Sequence, residues 1–172
     1  MPHTLEALNA CDRAAFVAAL GHLFEHSPWV AEEAAQGRPY PDAAALLAGL
    51  CGAMRSAPRD RQLALIRAHP DLAGRLARAG ELTAASAREQ AHAGLDRLAA
   101  AESAEIERLN EAYKARFGFP FIICARLNAK EAILAAMRRR VTQAPELELS
   151  TALDEIAKIA GLRLNEALAA SS

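Results

Sequence analysis

The stretch RAHPDLAGRLA, residues 67–77, places His69 directly before Pro70. An imidazole is the side chain whose ordinary protonation change falls nearest neutral pH. A proline ring disfavours helical geometry in the residue before it, so the helical pattern through Leu63 and Ile66 is expected to end at His69. A histidine there can cap the helix, its charged form favoured by the negative end of the helix dipole. It can also act as acid or base, aimed at a ligand from a loop-like position on a rigid scaffold.

A second cluster, SAREQAHAGL, runs from Ser86 to Leu95. Ser86 and Glu89 have the S-x-x-E spacing of a helix capping box, a purely structural role. Gln90 adds an amide that capping does not require. Glu89 and His92 also form an E-x-x-H pair, half of the ligand set that di-iron bundles use, but no second copy or further glutamate pair accompanies it. His22 and His26, four apart and expected on one helix face, could share a zinc; the remaining ligands are not evident. No metal site is therefore assigned.

The third cluster is ARFGFPFIICAR, Ala115 to Arg126. Aromatic and aliphatic residues around Gly118 and Pro120 suit a core. A backbone held irregular by Gly and Pro can also leave N–H and C=O groups free for a polar ligand. The fourth candidate is Arg163, beside the apolar stripe of Ile156 and Ile159. A half-buried guanidinium wants an anion, either a structural carboxylate or one carried by a substrate. Phosphate loops, nucleophile elbows and dinucleotide fingerprints are missing from the sequence.

The elements that must position these residues read as helices throughout. Alanine is abundant, while Val, Thr and aromatics are sparse. Phe16, Leu20, Leu23 and Phe24 recur at helical spacing after Asp12, and Ser27-Pro28 supplies the next start, with Gly37 as its stop. Asp42 precedes the stripe Leu46, Leu47, Leu50 and Met54, and Asp60 opens the segment that ends at His69. A long pattern follows from Leu95 through Leu98, Ile106, Leu109 and Tyr113 to Phe117, with a break near 101–103 and closure by Gly118. FPFIICARL is β-like, but one strand makes no sheet, so it is expected to be buried and either extended or helical. Asn128 with Glu131 marks an N-cap, and Ser150 the start of the last helix. The expectation is an all-α, single-domain chain over residues 1–172, of roughly seven to nine helices without a sheet.

Composition narrows the function classes. With 20 Lys+Arg against 21 Asp+Glu the net charge is −1, which gives no field to recruit nucleic acid or an anionic membrane. Arg138, Arg139 and Arg140 form one run, expected to be a solvated face. Cys11, Cys51 and Cys124 lack metal-type spacing and read as buried thiols in a reducing compartment. No signal peptide, membrane-length apolar stretch or C-terminal peroxisomal tripeptide is found, so a cytoplasmic protein is expected.

Taken in series, AHPDLAG, the S-x-x-E-Q of Ser86, Glu89 and Gln90, FGFPFIICAR and the late GLRL closely resemble the 2-oxo-4-hydroxy-4-carboxy-5-ureidoimidazoline (OHCU) decarboxylases. These enzymes act third on the route from urate to allantoin. The resemblance implies a cofactor-free, all-helical enzyme, usually a homodimer, that takes a small ureidoimidazoline and yields (S)-allantoin. Motif matching puts the family's catalytic histidine on His69 and its catalytic glutamate on Glu89. Its substrate-binding positions fall on Pro70, Ser86, Gln90, Phe121, Ile122, Ile123, Cys124, Ala125 and Arg163. Two other readings use the same residues: a helical binding or adaptor domain in which they are caps and core, and a metal-dependent hydrolase built on His22, His26 or His92.

Overall fold

The computed structural model describes residues 3–74 and 80–169. The C-terminal tripeptide read above lies outside the described residues. The chain divides into two compact bodies, Met1–Ala68 with Ile156–Ser172, and His69–Glu155. Among the described residues there are nine α-helices, three short 3-10 turns and no strand, as the all-α reading expects.

The first body contains α1 (Leu5–Ala10), α2 (Arg13–Leu20), α3 (Trp29–Ala34), α4 (Ala43–Ser56) and α5 (Arg59–Arg67), with 3-10 turns at Gly21–Leu23 and Ala35–Gly37. Three of these helices start where a short polar side chain satisfies an otherwise orphaned N–H. Thr4 accepts from Ala7, Asp12 from Ala15 and Asp42 from Ala45. α3 packs on α2 and α4 around a core that includes Phe16, Leu20, Phe24, Val30, Leu46, Leu50 and Met54.

Three expectations change here. α2 stops at Leu20, and His22 sits in the following 3-10 turn, while exposed His26 takes a left-handed φ of 47°. The two histidines do not share a helix face, which removes the zinc pairing. A spacing of three fits a 3-10 turn as well as an α-helix, so Leu20 and Leu23 could not distinguish them. Ser27 is not the cap of α3: Pro28 is, and the Ser27 hydroxyl donates to the Glu25 carbonyl. α5 ends at Arg67 with Ala68 as its cap, so His69 stands beyond the helix rather than as its last residue.

The second body holds α6 (Ala84–His92), α7 (Ala100–Phe117), a 3-10 turn at Ala125–Leu127, α8 (Lys130–Arg140) and the start of α9 (Pro145–Ala169). The interruption in the long apolar pattern falls between α6 and α7, where Gly94 takes φ +82°, and not at 101–103. Gly118, at φ +76°, closes α7 as expected, since a left-handed C-cap strains any residue with a Cβ. α8 is capped by Ala129, while Asn128 instead donates to the Cys124 carbonyl at 2.9 Å. α9 begins at Pro145, a residue preorganised for the first helical position, and not at Ser150.

FPFIICARL proves to be buried and irregular up to its 3-10 turn, with Phe121, Ile122, Ile123, Cys124 and Ala125 all in the core. Cys124 is buried as expected, but Cys11 and Cys51 are only partly so: Cys11 caps the end of α1, and Cys51 stands one residue off the buried stripe Leu46, Leu50 and Met54 of α4.

Candidate active site

His69 is buried and Pro70 half-buried at the head of the turn His69–Gly74. Three side chains from two helices hold this turn. Lys114 of α7 donates to Asp71 Oδ2 at 2.6 Å, and Asn110 Nδ2, also of α7, donates to the Leu72 carbonyl at 2.9 Å. The Ala73 N–H donates to Gln90 Oε1 of α6 at 2.9 Å. Ala73 takes a left-handed φ of 49°, costly for a residue with a Cβ, and its N–H is met by a side chain.

α6 carries the second cluster, and its start corrects the capping-box reading. The N-cap is Thr83, whose hydroxyl accepts the Ser86 N–H at 3.2 Å. Ser86 and Glu89 therefore lie within the helix, and Ser86 is not its N-cap. Ser86, Glu89 and Gln90 stand at i, i+3 and i+4, which puts them on one face. Ser86 and Gln90 are buried and Glu89 is half-buried. Gln90 spends its Oε1 on Ala73, and its NH2 donates to no described residue of this body. The same residue borders a cleft of about 360 Å³ with Ala73, Leu82, Ala87, Ala91 and Leu95.

The third cluster lies against this helix, since α6 packs on the 3-10 turn Ala125–Leu127. Burial pushes the Cys124 thiol up, and the charges of Glu155 and Glu89 add to this, opposed by the N–H groups of Leu127 and Arg126. Glu89 thus lies within electrostatic reach of the Phe121–Ala125 segment. The N–H groups of that segment donate to no described residue of this body, whereas its carbonyls at Ile122 and Cys124 are taken by Arg140 and Asn128. Buried backbone N–H groups are nearly always paired, so open ones mark a surface prepared for an acceptor.

Arg140, expected on a solvated face, is buried. Its Nε donates to Glu148 Oε1 at 2.8 Å and its Nη1 to the Ile122 carbonyl at 2.7 Å. The guanidinium also lies 4.2 Å from the centre of the Phe121 ring. Arg138 behaves as expected, paired at the surface with Glu105. The missed signal was register: Arg140 follows buried Ile133 and Met137 by seven and three residues, on the apolar stripe of α8.

Arg163 lies in the first body, buried, where Nη2 donates to Glu25 Oε1 at 3.0 Å and Nη1 to the Leu23 carbonyl at 3.4 Å. Its anion includes a structural carboxylate, one of the two kinds the sequence left open. Glu25, equally buried, carried no sequence signal of its own. Among the described residues no three His, Cys, Asp or Glu side chains are grouped to hold a metal ion.

The second body thus gathers the His69 turn, the Ser86, Glu89 and Gln90 face, and the Phe121–Ala125 segment. The sequence profile described as OHCU decarboxylase matches residues 9–165, nearly the whole chain. The chain belongs to the OHCU decarboxylase family. It is 46% identical over 163 residues to the 2-oxo-4-hydroxy-4-carboxy-5-ureidoimidazoline decarboxylase of Haloferax volcanii, covering 95% of each chain. It is 41% identical to the enzyme of the same name from Amia calva, covering 94% of this chain and 93% of that one. Among solved structures, it is similar to the crystal structure of (S)-allantoin synthase, with a TM-score of 0.77 and 31% identity. That match covers 97% of this chain and 54% of the other. No helix of the described residues is long and apolar enough to cross a membrane.

Proposed function

We propose that this protein decarboxylates 2-oxo-4-hydroxy-4-carboxy-5-ureidoimidazoline to (S)-allantoin in urate degradation. The observation that carries the reading is the hydrogen bond from Ala73 to Gln90. It ties the turn bearing His69 to the helix face bearing Ser86 and Glu89, two stretches matched separately to one family. Membership of that family, and relatives covered along nearly their full length, support it.

The substrate brings its own electron sink. When the bond to the carboxylate carbon breaks, its electron pair forms a double bond to the carbon bearing the ureido arm. The pair of the ring C=N moves to the ring nitrogen, which takes a proton. The resulting enol returns its hydroxyl proton and gains one at the ureido-bearing carbon, leaving a ring carbonyl and one stereocentre. The protein then has to supply orientation, proton movement and protonation from one face.

In this reading His69 exchanges the proton with the hydroxyl or with the carbon centre, a role worth roughly 10²–10⁴-fold in rate. Glu89 hydrogen-bonds N–H groups of the ring or ureido arm and poises His69. Ser86 and the NH2 of Gln90 hold the ureido arm, and Pro70 fixes the edge from which His69 reaches in. The backbone N–H groups of Phe121, Ile122, Ile123, Cys124 and Ala125 read the polar edge of the ring. Arg163 pairs with a substrate oxygen, its guanidinium oriented by Glu25. Confinement of one conformer and one face adds several kcal/mol. No metal or organic cofactor enters, and a cytoplasmic homodimer completes the proposal; sedimentation equilibrium at the mass of a monomer would remove the dimer from it.

The test generates the substrate in place from urate with urate oxidase and hydroxyisourate hydrolase, and follows allantoin by circular dichroism. Fast formation of one enantiomer, lost in His69→Ala, is expected. A slow racemic product at the uncatalysed rate with the wild-type protein would overturn the reading.

A further inference from the structure

The segment Phe121–Ala125 is irregular up to the 3-10 turn that begins at Ala125, yet the proposed reaction needs its N–H groups fixed in space. We propose that Arg140 is a positioning residue for this reaction, setting the conformation of that segment through its hydrogen bond to the Ile122 carbonyl. The inference rests on the proposed function and assigns the reading of the substrate ring to a side chain that does not touch it.

Three constraints lock the guanidinium. Nε is taken by Glu148, Nη1 by Ile122, and its central carbon lies over the Phe121 ring, so it contacts two successive residues of the segment. Glu148 is itself fixed, because the Tyr113 hydroxyl donates to the same Oε1 at 2.6 Å. The Tyr113 ring in turn packs edge-on against Phe121 at 5.4 Å and against Phe119 at 5.9 Å. The segment is thus gripped from α7, α8 and α9 at once.

Stability alone gives little reason for this arrangement. A buried ion pair rarely outperforms apolar side chains of the same volume, because desolvation offsets its attraction. Arg140 Nη2 is also buried without a hydrogen-bond partner among the described residues, a cost that an apolar core would avoid. What the pair supplies, and an apolar pair cannot, is a directed donor on a backbone carbonyl. A planar fork can hold Glu148 and Ile122 with separate nitrogens; a lysine has one nitrogen for both.

The experiment measures kcat, KM and product enantiomeric excess for wild type, Arg140→Lys and the neutral pair Arg140→Gln with Glu148→Gln, alongside thermal melting. For whichever variant remains folded, KM rises about tenfold or more, as expected for loss of a charge-assisted hydrogen bond. Enantiomeric excess falls with it, because a loosened segment no longer presents one face, and a purely structural role would not move it. A folded variant with KM and enantiomeric excess within twofold of wild type overturns the inference while leaving the proposed function standing. If neither variant folds, Arg140 serves stability first and the inference fails. A wild-type protein that yields no enantiomeric excess removes the proposed function itself.

Discussion

Gln90 has one amide and two obligations. Its oxygen accepts from Ala73, and its NH2 is the group that can donate to a substrate acceptor such as a ureido carbonyl. Gln90→Glu keeps an acceptor for Ala73 and loses the donor; melting should change little while KM rises roughly tenfold to a hundredfold. Unchanged KM would show that Gln90 serves the turn alone. Tyr113 gives a residue-level prediction on pH. Burial, then the hydrogen bond to Glu148 and its charge, hold the phenol well above its ordinary value. A raised folded value means stability that is present below the unfolded phenol value of about 10 and lost as pH rises beyond it. Since the chain has two tyrosines, a Tyr40→Phe variant isolates Tyr113. Its phenolate absorbance at 295 nm should appear only together with loss of helical circular dichroism, and smooth titration near pH 10 in the folded protein would contradict this.

At the scale of elements, Thr83 rather than Ser86 starts α6, which separates two roles that the sequence pattern merged. Thr83→Ala should cost about 1 kcal/mol, or roughly 2–4 °C in Tm. Ser86→Ala should barely shift melting but should raise KM; the reverse pattern would return Ser86 to a structural role. Helices were legible because apolar stripes at helical spacing report burial directly. Their ends were less so, because several short polar residues near one terminus compete for one cap, and only packing chooses between Thr83 and Ser86, or Ala129 and Asn128. Of the site, the His69 turn, the α6 face and the Phe121–Ala125 segment were legible as local breaks in rhythm. The ionic partners were not: Glu25 for Arg163 and Glu148 for Arg140 are fixed by tertiary packing, and a charged residue reads as exposed until its partner is known.

At the scale of the whole molecule, the described residues form helices whose chemistry-bearing side chains cluster without a metal-type grouping. Purified protein should carry zinc and iron well below one equivalent, and prolonged treatment with a chelator should leave allantoin formation within experimental error of the untreated enzyme. Stoichiometric metal whose removal abolishes turnover would revive the hydrolase reading through His92.

The bond between Ala73 and Gln90 has a spectroscopic consequence. Most amide protons in a helical protein are sheltered by the backbone ladder, and their solvent exchange reports helix opening. The amide proton of Ala73 is held by a side chain, so its exchange rate follows the orientation of one glutamine. Isotope labelling of this single alanine position would turn the turn beside His69 into a native reporter of occupancy: a bound ureide that steadies Gln90 slows the exchange, and each departing product restores it.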